Sequence, residues 1–353
     1  MNVLVTGCAG FVGSTICHQL RRLRSNWKID GLDNLSRVGS ETNIPGLIDA
    51  GVNVVRGDVR CETDFELFRD INFVIDAAAN PSVLAGTTGT GCRQLIDQNL
   101  IGTINTLEFC RRMSAGLILL SSSRVYSISD MRSIALVDGV SRYMYGDLEG
   151  VSGVSPAGIS EEFSTKPPIS LYGVTKLASE LMAMEYSHSY NFPVFVNRCG
   201  VMSGEGQFGI ASQGIVSYWI AKAIAGEQLC YTGQGGKGFQ VRDLMHPNDL
   251  AQLLVMQMQS EHKEPSIYNV SGGIESSFSL FELTEFCKSA GLDLNVASVH
   301  SDRPNDVPHV VLDSDRARDT FSWVPSVSKD EIFARVLSFL LSHDNWLKVS
   351  GNV

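Results

Sequence analysis

The chain has no Cys-x-x-Cys pair, no membrane-length apolar run, no internal repeat, no low-complexity tract and no excess of basic charge. Each absence removes a class of protein. Its eight cysteines (Cys8, Cys17, Cys61, Cys92, Cys110, Cys199, Cys230 and Cys287) are scattered, so their spacing writes neither a zinc site nor a disulfide framework. They read as free thiols of a reducing compartment. Without about 18 consecutive apolar residues there is no candidate spanning helix. The first residues enter an apolar strand with no basic leader region, so neither export nor anchoring is expected and a cytoplasmic location is. Twenty-eight Lys and Arg against 38 Asp and Glu leave a formal charge of -10, which repels nucleic-acid phosphates and anionic lipid. No nucleic-acid or membrane partner is expected, and any anionic ligand must be held by a local cluster of donors. The seven histidines show no ligand spacing; no metal is implied, and His246 reads as structural. What remains, 353 residues with 44% hydrophobic and 19% charged, is a folded chain of about two domains.

The first half alternates strand and helix patterns. Short β-prone runs at 2–6, 29–33, 52–56, 73–76 and 117–121 read as buried strands. Helical spacing follows the first, through Phe11, Val12, Ile16 and Leu20, and recurs at 62–70 and 92–113. Thr63 to Glu66 has the pattern of a capping box. Strands joined by crossover helices imply a parallel sheet covered on both faces. After about 198 the rhythm changes to glycine-rich loops at 199–214 and 232–242, a helix at 280–290 with the box Ser279 to Glu282, short strands with proline, and a last amphipathic helix near 329–342. These divide the chain into residues 1–197 with 238–267, residues 198–237 with 268–345, and a tail at 346–353.

The first strand runs into Thr6-Gly7-Cys8-Ala9-Gly10-Phe11-Val12-Gly13. In this G-x-x-G-x-x-G turn, glycine permits the tight bend and the close approach of a pyrophosphate, while the helix start offers free amides and a positive dipole end. Twenty residues after Gly13, Asp33 stands at the end of the second strand, where a carboxylate accepts ribose hydroxyls and repels a 2′-phosphate. NAD is therefore expected in preference to NADP, although Arg37 could pair with a 2′-phosphate. Asp58, ending the third strand, is placed to meet the adenine amine.

Ser121-Ser122-Ser123 closes the fifth strand, and Tyr172-Gly-Val-Thr-Lys176 opens a helix. At i and i+4 the tyrosine and lysine share a face. An ammonium near the phenol, with the positive nicotinamide of bound NAD, favours the phenolate, so Tyr172 is expected to be a general base. Lys176 would also bond the nicotinamide ribose, and Ser123 would hold the same alcohol as Tyr172. The set suits oxidation of a secondary alcohol by hydride transfer.

With these residues in place, the chain resembles the extended short-chain dehydrogenase/reductase family of nucleotide-sugar epimerases and dehydratases. The likeness runs through the glycine turn, Asp33-Asn-Leu-Ser-Arg37, Gly57-Asp-Val-Arg60, Asn99-Leu-Ile-Gly-Thr103, the serine triplet, Tyr172/Lys176 and Arg242-Asp-Leu-Met-His246. Segments such as Ala77-Ala-Ala-Asn-Pro-Ser-Val83, Ser123-Arg-Val-Tyr126 and Asn197-Arg-Cys-Gly200 are similar to those of CDP-paratose/CDP-tyvelose 2-epimerases. The resemblance implies an α/β, Rossmann-like doubly wound parallel sheet with a smaller α/β C-terminal substrate-binding lobe. It implies Ser123, Tyr172 and Lys176 as the catalytic set. It places Gly7, Gly10, Phe11, Val12, Gly13, Asp33, Asn34, Ser36, Arg37, Asp58, Val59, Ala77, Ala78, Ala79, Asn99 and Arg198 around NAD, with Tyr172 and Lys176. A nucleotide sugar, CDP-linked on this likeness, would be held by Asn80, Ser82, Ser123, Arg124, Asn197, Gln213, Arg242 and Arg303. The helices near 92–113 and 172–190 would pair with their copies in a homodimer through positions such as Leu100, Ile104, Leu177 and Leu181. Asp76 stands where many relatives carry histidine, and the polar stretch 127–170 is expected to form a loop over the sugar.

Family dehydratases need an acidic pair beside the catalytic hydroxyl, whereas here Arg124 and Val125 follow Ser123. The expectation is inversion at C2 of a CDP-sugar through a transient ketone with retained NAD. The alternatives are a 4-epimerase or other retained-NAD enzyme on a UDP- or GDP-sugar, a 4,6-dehydratase, or a nucleotide-binding scaffold without chemistry.

Overall fold

The computed structural model describes residues 1–84, 91–262, 264–344 and 346. The expected tail at 346–353 lies outside them except for Trp346. The architecture is built on seven strands: β1 (Asn2–Thr6), β2 (Lys28–Asp33), β3 (Asn53–Arg56), β4 (Phe73–Asp76), β5 (Gly116–Ser122), β6 (Val194–Cys199) and β7 (Ser266–Val270). They form one sheet in the order β7-β6-β5-β4-β1-β2-β3, every pair parallel. The chain reverses direction across the sheet between β1 and β4, the switch point where doubly wound folds open a crevice at the carboxyl ends of their strands.

Alternation along each strand explains why both faces are covered. Val3 and Val5 of β1, with Ile118 and Leu120 of β5, point to one side, where Leu250, Leu253 and Leu254 of the helix Pro247–Gln259 cover them. Leu4, Leu117 and Leu119 point to the other, against Leu107 and Phe109 of the helix Gly102–Met113 and Ala183 of the helix Ser170–Tyr190. All these residues are at most 6% exposed. Truncating one of the leucines to alanine costs about 2–5 kcal/mol, so each face is a tightly specified layer.

A second cluster packs the helices Ile215–Ile224, Leu280–Ser289 and Lys329–Ser342 around Trp219, Phe278 and Phe333. Beside it a small sheet is centred on the strand Val241–Met245, paired with Val201–Met202, Ser277–Ser279 and His309–Val310. The expected parts 238–267 and 268–345 each contribute to both sheets. Val241–Met245 belongs to the small sheet, whereas all of β7 and the helix Asp315–Phe321, with Ala317 and Trp323, pack into the large-sheet layer.

Ser279 and Glu282 form the expected reciprocal box, at 3.1 and 3.2 Å. Thr63 and Glu66 do not. Residues Glu62–Leu67 make a tight 3₁₀ turn without a side-chain cap, because Asp64 turns back to accept the Asp58 amide at 2.7 Å. The stretch 127–170 is likewise no cover for the cavity described below. It folds into the helix Ile128–Ser133 and two short hairpins, and it packs through Ile134, Ile159 and Phe163 on Val307, Val310 and Leu312.

Candidate active site

The turn after β1 is built for close approach. Gly7 has φ +67°, and a Cβ on Gly13 would fall 2.0 Å from the Gly7 carbonyl oxygen. No other residue allows the helix Phe11–Leu23 to start so near its strand. Gly10 caps that helix without a side-chain bond, which leaves the first-turn amides free for an anion. Asp33 braces the turn from β2, accepting the Ala9 amide at 2.9 Å and the Leu35 amide at 2.8 Å. Each of its oxygens keeps a lone pair directed at neither amide, which is what ribose hydroxyls require.

Two adjoining cavities open at the strand ends and share Arg37, Ala77, Ala79 and Pro81. The smaller, about 280 Å³, is lined by Gly7, Asp33, Asn34, Ser36, Val59, Ala78 and Asn80. The larger, about 500 Å³, is lined by Phe11, Val12, Gly13, Ser122, Arg124, Tyr172, Lys176, Gln213, Arg242 and Arg303. Segment 201–215 supplies much of its remaining wall, and Phe208 lies on Gly39, where a Cβ would come within 2.2 Å of the ring. The same ring stacks on Trp346 at 4.7 Å.

Tyr172 and Lys176 sit one turn apart on the helix Ser170–Tyr190, 9% and 3% exposed. Lys176 Nζ donates to the Leu120 carbonyl at 2.8 Å, so β5 itself positions the ammonium. Among the described residues no carboxylate pairs with Lys176. Asp306 is the one carboxylate among the described residues lining the larger cavity, and it is held by Arg242 at 2.9 Å.

A model of the NAD dependent epimerase/dehydratase family matches residues 3–271. The chain belongs to that family. NAD is thus its cofactor, and the glycine turn fits the dinucleotide: a Cβ at Gly7 or Gly13 would fill the close approach that the turn leaves. As a family member the chain is 27% identical to a CDP-paratose 2-epimerase of Salmonella typhi, over 93% of this chain and 96% of the relative. It is 26% identical to a dTDP-glucose 4,6-dehydratase of Streptomyces antibioticus, over 98% and 94%. The structure of a UDP-glucose 4-epimerase of Thermus thermophilus complexed with NAD superposes with a TM-score of 0.76 at 26% identity, covering 97% of this chain and 99% of that one.

Several residues expected at the ligand line neither cavity in this epimerase/dehydratase. Strand alternation turns Ser121 toward Glu180, and the cavity wall carries Ser122 in place of Ser123. Arg198 lies within β6. Its guanidinium grips Glu180 through Nη2 at 2.7 Å and Nε at 3.1 Å and donates to Tyr126 at 3.3 Å, well inside the protein. Burial opposes that charge, but the Glu180 bonds prevail and its pKa rises. Asn197, fully buried, exchanges amide bonds with Gln257 at 3.0 and 2.8 Å. Asn99, 1% exposed, spends its amide on the Asn80 backbone at 2.7 and 3.0 Å and on Thr175. It positions Asn80 without facing the cavity. Ser82 lines neither cavity and donates its amide to Asn80 at 3.1 Å. Asp58 lines neither; bonds from Arg60, partly opposed by burial, and one from Asn34 bring its pKa down to about 2. Gly10 shapes the turn without lining a cavity.

Sequence reasoning gave no role to Asp76 and did not single out Glu180 or Asp306. Asp76 accepts from Thr6 at 2.7 Å and Thr103 at 2.9 Å, tying β1 and β4 to the helix behind them. Period-two alternation along β5 was the available signal for Ser122; Glu180 carried one too, being four residues after Lys176 on a face that has to be buried.

Proposed function

We propose that the protein inverts C2 of a CDP-sugar through a transient ketone, with NAD retained between turnovers. The observation that carries this over elimination is the charge beside the phenol: Arg124 lines the cavity where an acidic group would have to stand, and Asp306 is already paired with Arg242. The full-length similarity to a CDP-paratose 2-epimerase supports the base and the carbon. NAD, held by the glycine turn and Asp33, supplies the acceptor and later the donor of a hydride at the sugar carbon. Tyr172 takes the hydroxyl proton as the carbon is oxidised and returns it when the ketone is reduced on its opposite face. Lys176, anchored to Leu120, keeps a positive charge near the phenol, and Ser122 steadies the reacting oxygen by hydrogen bonding. Arg242 and Arg303 hold the diphosphate while the sugar turns.

The test is to purify the protein, release bound dinucleotide by denaturation, and offer a panel of CDP-, UDP- and GDP-sugars without added cofactor. NMR then shows the carbon inverted. Inversion at C4 of a UDP- or GDP-sugar supports the 4-epimerase reading that the Thermus likeness favours, and loss of 18 mass units marks a dehydratase. The assembly we propose is a homodimer through the helix Ser170–Tyr190 and its neighbour, where Leu171, Val174, Leu181 and Ile101 stand 42, 44, 65 and 38% exposed.

A further inference from the structure

We propose that Arg124 belongs to the diphosphate site and joins it to Tyr172, so that the sugar carbon brought to the phenol is the one adjacent to the anomeric carbon. This rests on the epimerase reading above and adds the residue that would choose the carbon.

Arg124 is fixed at both ends. Its backbone is locked to the reacting group: the Arg124 amide donates to Ser122 Oγ at 3.2 Å, and Gly173 packs so closely on the Arg124 carbonyl that a Cβ there would lie 2.2 Å from the oxygen. The residue after Tyr172 therefore touches Arg124 directly. Its side chain reaches the other way, where Nη1 donates to the Asn305 carbonyl at 3.4 Å. The next residue, Asp306, receives Arg242 at 2.9 Å and donates its amide to the Arg303 carbonyl at 3.2 Å. Arg124 and Arg242 thus reach the four-residue turn that begins at Arg303, Arg132 bonds the Asp306 carbonyl from outside the cavity, and Arg124, Arg242 and Arg303 line the same cavity as Tyr172.

Charge and donor supply say what the cluster takes. Arg124, Arg242 and Arg303 line this cavity with one carboxylate, Asp306, an excess of two positive charges over these four, which matches a diphosphate diester. A guanidinium has five N–H donors, and the long bond to Asn305 is the only side-chain hydrogen bond of Arg124 among the described residues. Burial, then the Arg242 charge, bring its pKa down to about 10, so it stays protonated at neutral pH. A half-buried fork with unused donors beside two other arginines calls for an anion.

The regiochemistry follows. In a nucleotide sugar the diphosphate hangs on C1; C2 is bonded to C1, and C4 lies across the ring. With a diphosphate oxygen on Arg124, C2 is the ring carbon one bond from the anchored end and C4 the one farthest from it, which favours C2 at the phenol. A site in which Arg124 took no phosphate would carry no such bias.

The experiment titrates NAD-loaded wild type, Arg124→Met and Arg124→Lys with diphosphate and monophosphate pairs of cytidine, uridine, thymidine and guanosine, the base that binds tightest being used for comparison. Arg124→Met should lose about ten- to a hundredfold in affinity for the diphosphate, the range of a charged hydrogen bond, with the monophosphate unchanged. Arg124→Lys, keeping charge without the fork, should fall between. Unchanged diphosphate binding in folded Arg124→Met, or equal loss for both nucleotides, overturns the phosphate assignment whatever reaction the enzyme performs. If the assignment holds and NMR finds wild type inverting C4, the carbon-choosing role and the C2 reading fall while the phosphate contact stands.

Discussion

Replacing Arg198 by methionine separates two roles for a residue that resemblance places at the cofactor and the structure places in the core. The change removes a guanidinium 6% exposed and leaves the Glu180 carboxylate, 1% exposed, with Ser121 as its remaining partner. Stranding one charge of a buried pair costs about 3–5 kcal/mol. With an unfolding entropy of about 2.1 cal/mol/K per residue over a chain of 353 residues, that loss lowers Tm by about 4–7 °C. Methionine fills much of the vacated volume, so the cost reports charge more than packing. The assay is calorimetry of Arg198→Met, of Glu180→Leu and of the double variant, with NAD affinity measured on each folded protein. The double variant should recover most of the loss, since no charge is then left unpaired. A single variant that melts at the wild-type temperature while NAD affinity collapses would refute the reasoning and restore Arg198 to the cofactor.

Ser122→Ala should lower kcat about ten- to a hundredfold by removing one hydrogen bond to the reacting oxygen, with Ser123→Ala close to wild type; steady-state rates in which the two are reversed would return the catalytic role to Ser123. Gly13→Ala should yield protein without bound dinucleotide, because the new methyl lands 2.0 Å from the Gly7 oxygen; the ultraviolet spectrum of denatured, filtered protein reads this, and a normal NAD content counts against the cradle. The Asp58 carboxyl titrates lower in the folded protein, about 2, than in the unfolded chain. Its stabilising contribution is therefore complete above the ordinary aspartate range and is lost as pH falls toward 2. The Tm gap between wild type and Asp58→Asn should close over that interval, and a gap that widens in acid contradicts it.

What could be read in the sequence was whatever local spacing encodes. The five predicted strands of the first half lie within two residues of β1 to β5, because both faces of the sheet are buried and each strand is a short apolar run between turns. The glycine turn and the Tyr172/Lys176 pair announce themselves for the same reason: each is contained within eight residues. The residues expected at the ligand that line neither cavity are held by partners elsewhere along the chain. Asn197 needs Gln257, 60 residues away, and Arg198 needs Glu180 across a strand and a helix. Thr63 and Glu66 carried a valid local pattern that lost to Asp64 and its bond to Asp58. Segment 127–170 looked like a cover because it is polar, but the apolar side chains within it find Val307 and Leu312 instead.

The tether from Lys176 to the Leu120 carbonyl has a design implication. The pair proposed to handle the proton is tied to the central scaffold, whereas Gln213, Arg242 and Arg303, the candidate contacts for the ligand, sit on segments outside that sheet. Grafting the 201–215 and 303–306 stretches from another member could retarget the enzyme toward a different nucleotide sugar without rebuilding its redox machinery.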